Sequence, residues 1–408
     1  MVIRLRKPGT VISQTAKVDP ALYALGGREG EAVVVVEATD ADIDFAGATL
    51  QGKGAKPWLR KGTGIWLRNC RRVTLRNAKA HGYFRGILAE NCRELTIVDC
   101  DASANHGKRF HSTPEKWDRR DWIDIFRYDV WTQYGSGVTL KGCRDCRVIS
   151  CRGGSQQNGL ILDGCEECVV SGCDFSHNSG WGIRLWSSSR NRLLGNNCDW
   201  CVSGESEHYS CGNDSAGILL VNACHHNVIV GNSMQHSGDG FFLTADLGVE
   251  RSNHNLICHN DGSYSPHNAF ESTFCYDNRF YGNRACHSHY GFWMGFSRGN
   301  ELAGNVIEGN RASGIAIEHG QRNRIIGNSI AGNQEGIYLF RRNASRLPSR
   351  AYVIEGNRLQ GNKVGLRLSE TTSVRERANR FKGNEEDVRV EEGCRRLSLA
   401  GAMNGAPT

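Results

Sequence analysis

Short runs of alternating apolar and polar residues recur along the chain, each opened by a glycine. GIWLRNC begins at Gly64, GILAENC at Gly86, GVTLKGC at Gly137, GLILDGC at Gly159 and GIRLWSS at Gly182. GILLVNA follows at Gly217, GFFLTAD at Gly240, GFWMGFS at Gly291, GIAIEHG at Gly314, GIYLFRR at Gly336 and GLRLSET at Gly365. A further copy, AFESTFC, starts at Ala269, 22 residues before Gly291 (291 − 269). The residues one and three places after each glycine are apolar, which marks a strand with one face turned inward. Downstream, a second short apolar run often ends in Gly-Asn, as at Gly282-Asn283, Gly304-Asn305, Gly327-Asn328 and Gly356-Asn357. Asn tolerates a left-handed corner, and stacked side-chain amides can hydrogen-bond from one repeat to the next.

This period predicts an all-β chain: a right-handed parallel β-helix, one solenoid of about 12 coils of roughly 22–23 residues. A leucine-rich repeat would need its own L-x-x-L-x-L pattern and a helical return, and neither is present. Residues 1–60, with AVVVVEA and IDFAGATLQG, are expected to cap the open end and supply the first coil, because a bare solenoid end exposes core and strand edges. Residues 61–385 would form the body and 386–408 a closing tail. Gly86 to Gly137 spans 51 residues (137 − 86) and Gly182 to Gly217 spans 35 (217 − 182), which places insertions at 106–135 and 199–215. Smaller extras, ADLGVERS and NASRLPSR, follow the strands of Gly240 and Gly336. Loops on both sides of one strand predict a trough, with the outward residues of that strand as its floor.

Composition adjusts this picture only slightly. Lys+Arg 50 against Asp+Glu 43 gives +7, compatible with an acidic partner, and no basic run suggests nucleic acid. The start, MVIRLRKPGTVISQ, has no apolar signal core, and no stretch is long enough to span a membrane. The 17 Cys keep the repeat: Cys143, Cys146 and Cys151 return 22 residues later as Cys165, Cys168 and Cys173 (165 − 143). Cys143, Cys146, Cys165 and Cys168 have zinc-quartet spacing, but the same shift carries the surrounding apolar residues, so stacked buried thiols are expected and no metal site is.

The second place after each glycine faces outward and gives the floor: Trp66, Leu88, Thr139, Ile161, Arg184, Leu219, Phe242, Glu271, Trp293, Ala316, Tyr338 and Arg367. Aromatic rings beside carboxylates and an Arg suit a sugar, whose faces stack while its hydroxyls take polar partners. Exposed aromatics could equally cover one another beneath the inserted loops. Asp239, Glu271 and Glu318 are the acid/base candidates, with Asp163, Asp214 and Asp246 in reserve, and His267 could act as a base or orient a carboxylate. Arg184, Trp186, His289, Trp293, His319 and Tyr338 are candidate substrate binders, and His287 lies nearby. Nucleophile elbow, phosphate loop and dinucleotide fingerprint are all missing from the sequence.

The G-I-x-L…N-x-I-x-G-N coils over about residues 60–385 resemble the β-helix family of carbohydrate-binding proteins and sugar hydrolases. That family takes in pectinase-like hydrolases and lyases, alginate C5-epimerases and periplasmic β-helix proteins of copper-enzyme maturation. IDFAGATLQG is similar to the opening coil of pectinase-type enzymes. Tyr264-Ser-Pro-His267 is similar to an alginate-epimerase stretch in which an Asp and a His are catalytic; Pro266 and His267 match it, Ser265 stands where the Asp would be, and Glu271 is displaced. The polygalacturonase pattern is not present. The resemblance implies a secreted or periplasmic protein with a poly- or oligosaccharide partner; no cofactor is expected, apart from Ca2+ if the protein is a lyase. The leading expectation is a glycoside hydrolase acting on a glycan in the groove; the alternatives are a lyase or C5-epimerase on a uronate glycan, which needs Ca2+, Arg or Lys to neutralise the substrate carboxylate, and a non-catalytic glycan-binding scaffold.

Overall fold

The computed structural model describes residues 1–113, 115–116, 118–203, 214–342, 345–391, 393–394 and 396–399. The alternating runs stack into a single face of fifteen parallel strands, and the second runs into a sheet of sixteen. Short strands and single bridges close a third side, giving a right-handed parallel β-helix. Twelve strands of the fifteen-stranded face are the twelve copies read from sequence. The other three are Thr10–Ile12, Ala32–Val36 and Glu386–Val390, so the segments expected as caps continue the coils. Inward residues pair in one unbroken row, in which Ile183, Ile218, Phe241, Phe270 and Phe292 are successive partners. All five are buried in the single long core.

The corners change character along the axis. Toward the N-terminal end they are lined by thiols: Cys146 Sγ lies 3.3 Å from the Arg144 carbonyl and Cys168 Sγ 3.4 Å from that of Glu166. The described cysteines are free thiols, and all but Cys258 and Cys394 are buried. Asn then takes over. The Cys168 N–H donates to Asn191 Oδ1 at 2.9 Å, and the row continues through Asn227, Asn255, Asn278 and Asn300 to Asn323. A second row starts from Cys173 at Asn196 and reaches Asn379. Each Asn in these rows occupies a position where an unpaired buried amide would be costly, and the stacking satisfies it. The Gly-Asn pairs divide the work differently from the expectation: the glycine takes the left-handed backbone (Gly282 φ 61°, Gly304 φ 63°), and the Asn supplies the ladder.

The first insertion does not stand beside the floor as a wall. It lies across the middle of the floor. Ile123, Ile125 and Trp131 pack on Ile161, Trp181, Leu219 and Phe242 and form a second apolar cluster outside the helix. The outward places of those coils are themselves apolar, so covering them removes both surfaces from water. What remains is two open stretches of one face, to either side of the covered middle. Of the second insertion, residues 204–213 lie outside the described residues. Among the described residues no helix is long and apolar enough to cross a membrane.

Candidate functional site

On the C-terminal side of the covered middle, neighbouring strands bring three acid/base groups together. Asp239 opens the strand Asp239–Thr244; His267 precedes, and Glu271 lies within, the next strand, Asn268–Ser272. One potential ligand or proton-carrying atom from each of Asp239, His267 and Glu271 lies within 4.8 Å of the others. Phe242 and Glu271 are direct partners across the pair, which fixes the offset between the two strands.

Hydrogen bonds hold the group in place. Asp239 Oδ1 accepts the Asn268 N–H at 3.0 Å and lies 3.1 Å from His267 Nδ1. Glu271 Oε2 accepts from Asn268 Nδ2 at 2.6 Å and Oε1 from the Thr273 hydroxyl at 2.7 Å. Asp239 is 1% exposed and Glu271 8%, whereas the His267 side chain is 32% exposed. His267 is therefore the member of the three that solvent or a substrate reaches most easily.

Burial and like charge push the acids up. Desolvation, then the Asp239 charge, raise Glu271 to about 8, and the same two causes raise Asp214 to about 7. Burial alone would lower His267. The charge and hydrogen bond of Asp239, with Glu271 and Asp214 beyond, outweigh it and raise His267 to about 9. Trp122 of the first insertion hydrogen-bonds Asp214, so the edge of the covering segment reaches this cluster.

Around it the floor carries rings and cations. Trp293 is the strand partner of Glu271, with Tyr290 4.9 Å and Phe340 6.1 Å away between ring centres. The His289 N–H donates to the His267 carbonyl at 3.0 Å, and burial, then Arg311, lower its ring pKa. Arg311 Nη2 donates to the Pro266 carbonyl at 2.7 Å, which places a guanidinium beside the cluster. Tyr338 lies farther along the floor, stacked on Phe340 at 4.4 Å and beneath Arg367 at 4.5 Å.

Four expected site residues serve elsewhere. Arg184 does not face a ligand: it is fully buried, donates Nη2 to the Ile125 carbonyl at 2.8 Å, and lies 4.2, 4.1 and 5.3 Å from the rings of Trp131, Trp181 and Trp186. It faces outward from the sheet, as its place in the repeat requires, but the insertion has closed over it and taken Trp186 along. His319 is 2% exposed, with Nδ1 2.6 Å from the Leu347 carbonyl and Nε2 accepting the Arg342 N–H at 3.2 Å, so both ring nitrogens bind backbone. Glu318 stands two strands beyond Glu271, 3.8 Å from His319 Nε2 and 3.7 Å from Arg342 Nε, and does not join the cluster. Of the residues around the cluster, Thr273 and Arg311 were not singled out from sequence. Arg311 falls three places before Gly314, much as His267 falls two before Ala269, and only the pre-strand positions could have pointed to it.

The model of the family described as "Periplasmic copper-binding protein (NosD)" matches residues 123–261 and 245–396, together two-thirds of the chain. The chain belongs to the NosD family. Curated proteins yield no match. Among solved structures, the A-module of Azotobacter vinelandii mannuronan C-5 epimerase AlgE6 is 13% identical, with a TM-score of 0.40 over 97% of this chain and 92% of that one. The periplasmic alginate epimerase AlgG is 12% identical, with a TM-score of 0.42 over 95% and 76%. The catalytic domain of a GH87 alpha-1,3-glucanase in complex with tetrasaccharides is 12% identical, with a TM-score of 0.49 over 96% and 64%. These likenesses are ones of coil architecture.

The family description raises copper, and the residues can be tested against it. The cluster offers one imidazole and two carboxylates, and no thiol or thioether joins it among the described residues. Met234 and Met294 are buried in the core, and the corner thiols point at carbonyls. The donor set lacks the thiolate or thioether ligands that select copper(I).

Proposed function

We propose that this NosD-family protein is a carbohydrate-active enzyme that transfers protons at the C5 carbon of a uronate glycan, as a lyase or a C5-epimerase. The observation that carries the reading is His267 held between Asp239 and Glu271, with Nδ1 3.1 Å from Asp239 Oδ1. Asp239 takes Nδ1, which leaves Nε2 to meet a substrate. Glu271, once ionised, removes the C5 proton; protonated His267 delivers a proton to the leaving O4 in a lyase, or to the opposite face of C5 in an epimerase. Arg311 neutralises the sugar carboxylate, and Trp293 and Tyr290 offer faces on which pyranose rings stack.

Glycoside hydrolysis is less well supported. It needs two accessible carboxyls about 5–5.5 Å or about 6.5–9.5 Å apart. Asp239 and Glu271 bring oxygens within 4.8 Å, Asp239 is 1% exposed, and Glu318 is bound elsewhere.

Incubation with uronate polymers in D2O tests the reading. Either deuterium at C5, seen by NMR, which marks an epimerase, or the ultraviolet absorbance of a C4=C5 enol ether, which marks a lyase, is expected. New reducing ends with neither signal would mean hydrolysis and would remove the proposal. Activity should rise as Glu271 ionises near pH 8 and fall as His267 discharges near pH 9.

A further inference from the structure

On the N-terminal side of the covered middle, the same face opens into a cleft of about 650 Å³, within the usual size of small-ligand sites. Its floor and rim carry the rings of Trp58, Trp66 and Phe84. Arg60, Lys61 and Arg85 line it against a single acid, Glu29. The lining His106 adds no charge near neutrality, because burial lowers its pKa. Thr132 and Gln133 from the first insertion form one wall, so the segment that covers the middle also bounds this cleft.

We infer that this cleft is a second binding site, separate from the proton-transfer cluster, and that it takes a negatively charged saccharide. Two donors in its lining have no acceptor: Trp66 Nε1 and Arg60 Nε are buried without a partner. Buried donors seldom stay unpaired, and a small shift of the two side chains would bring both to an acceptor-rich ligand. Arg60 is held ready, its Nη1 donating to the Ala104 and Asn105 carbonyls at 2.8 Å each. The Arg85 guanidinium stacks on Phe84 at 4.7 Å, which fixes a second cation at the rim. Guanidinium beside aromatic rings matches a ring bearing a carboxylate or a sulfate; a neutral sugar would leave the excess positive charge unanswered.

Strand pairing sets how far apart the two sites lie. From Trp66 the outward row runs through Leu88, Thr139, Ile161, Arg184, Leu219 and Phe242 to Glu271. Seven steps at the usual strand spacing make roughly 34 Å. Binding in the cleft therefore does not depend on the chemistry proposed at Glu271.

Calorimetry on the full chain reads the inference, with a uronate hexamer, a sulfated hexamer and a neutral hexamer as probes. At least one acidic probe should bind, with the neutral one weaker by about tenfold or more. Which acidic probe binds identifies the anion. Trp58→Ala and Lys61→Ala change exposed side chains and should each weaken binding by about tenfold, with circular dichroism unchanged. Trp293→Ala, on the other open stretch, should weaken only binding at that stretch and leave the Trp58- and Lys61-dependent binding step as it is. Equal binding of the neutral probe, no binding of either acidic probe, or loss in Trp293→Ala without loss in Trp58→Ala would each overturn the inference.

Discussion

The two open stretches of the floor share a sheet, a register and a repeat, yet their chemistry is opposite. Toward the C-terminal end, Asp214, Asp239 and Glu271 crowd around one imidazole; burial makes Asp214 and Glu271 hold their protons, and the Asp239 charge makes His267 hold its own. Toward the N-terminal end, guanidinium and ammonium groups stand among indole rings, with Glu29 as the one acid in the lining. Between them Arg184, a cation at the same position of the repeat, is neither acid/base nor binder, because a loop has closed over it. A position in the coil therefore fixes which way a side chain points. What covers it decides its role.

Breaking one stretch at a time sharpens this contrast. The largest effect is expected at the acidic one: His267→Ala should lower turnover on a uronate glycan by about 10²–10⁴-fold, measured by C5 deuterium incorporation or enol-ether absorbance, while binding of the acidic hexamer in the cleft persists. In the covered middle, Arg184→Ala should cost about 2–4 kcal/mol in chemical denaturation and expose residues 119–134 to protease, because it empties the space between three indoles. Arg184→Met keeps most of that volume and removes a cation whose pKa burial has pulled down to about 9, so it should lie within about 1 kcal/mol of the parent or above it.

Glu271→Gln tests the acidic stretch through stability. Burial raises this carboxyl from 4.5 to about 8, so the folded chain takes up a proton between those values and loses stability as pH rises through them. Gln cannot ionise. The variant should match the parent near pH 4 and exceed it above pH 8 by on the order of 1–3 kcal/mol, read from denaturation midpoints at the two pH values.

The coil was legible because its signal is repeated. A single Gly-apolar-x-apolar run is weak, but twelve at a near-constant interval leave little freedom, and the outward row from Trp66 to Arg367 pairs as the repeat requires. The acid cluster was legible in part, since Asp239, His267 and Glu271 share adjacent repeats. Arg184, Trp186 and His319 were misread for one reason: their burial comes from segments outside the repeat, whose docking carries no period. Thr273 and Arg311 lay in turns beside the strands, where neither alternation nor spacing marks them. The Cys and Asn corners were distinguished only by residue type, and their exchange at Cys168–Asn191 could be seen only once the rows were laid side by side.

The Asn and thiol rows have a further consequence. Because each coil contacts only its neighbours, the molecule behaves as a graduated rod, and the gap between its two exposed ends of chemistry can change only in whole divisions of about 4.8 Å. Excising one repeat from the covered middle, such as the 22 residues that separate Cys143 from Cys165, would keep every row in step and bring the cationic and acidic ends one division closer. Evolution, or an engineer, could thus retune the distance between the two ends without altering a single residue at either.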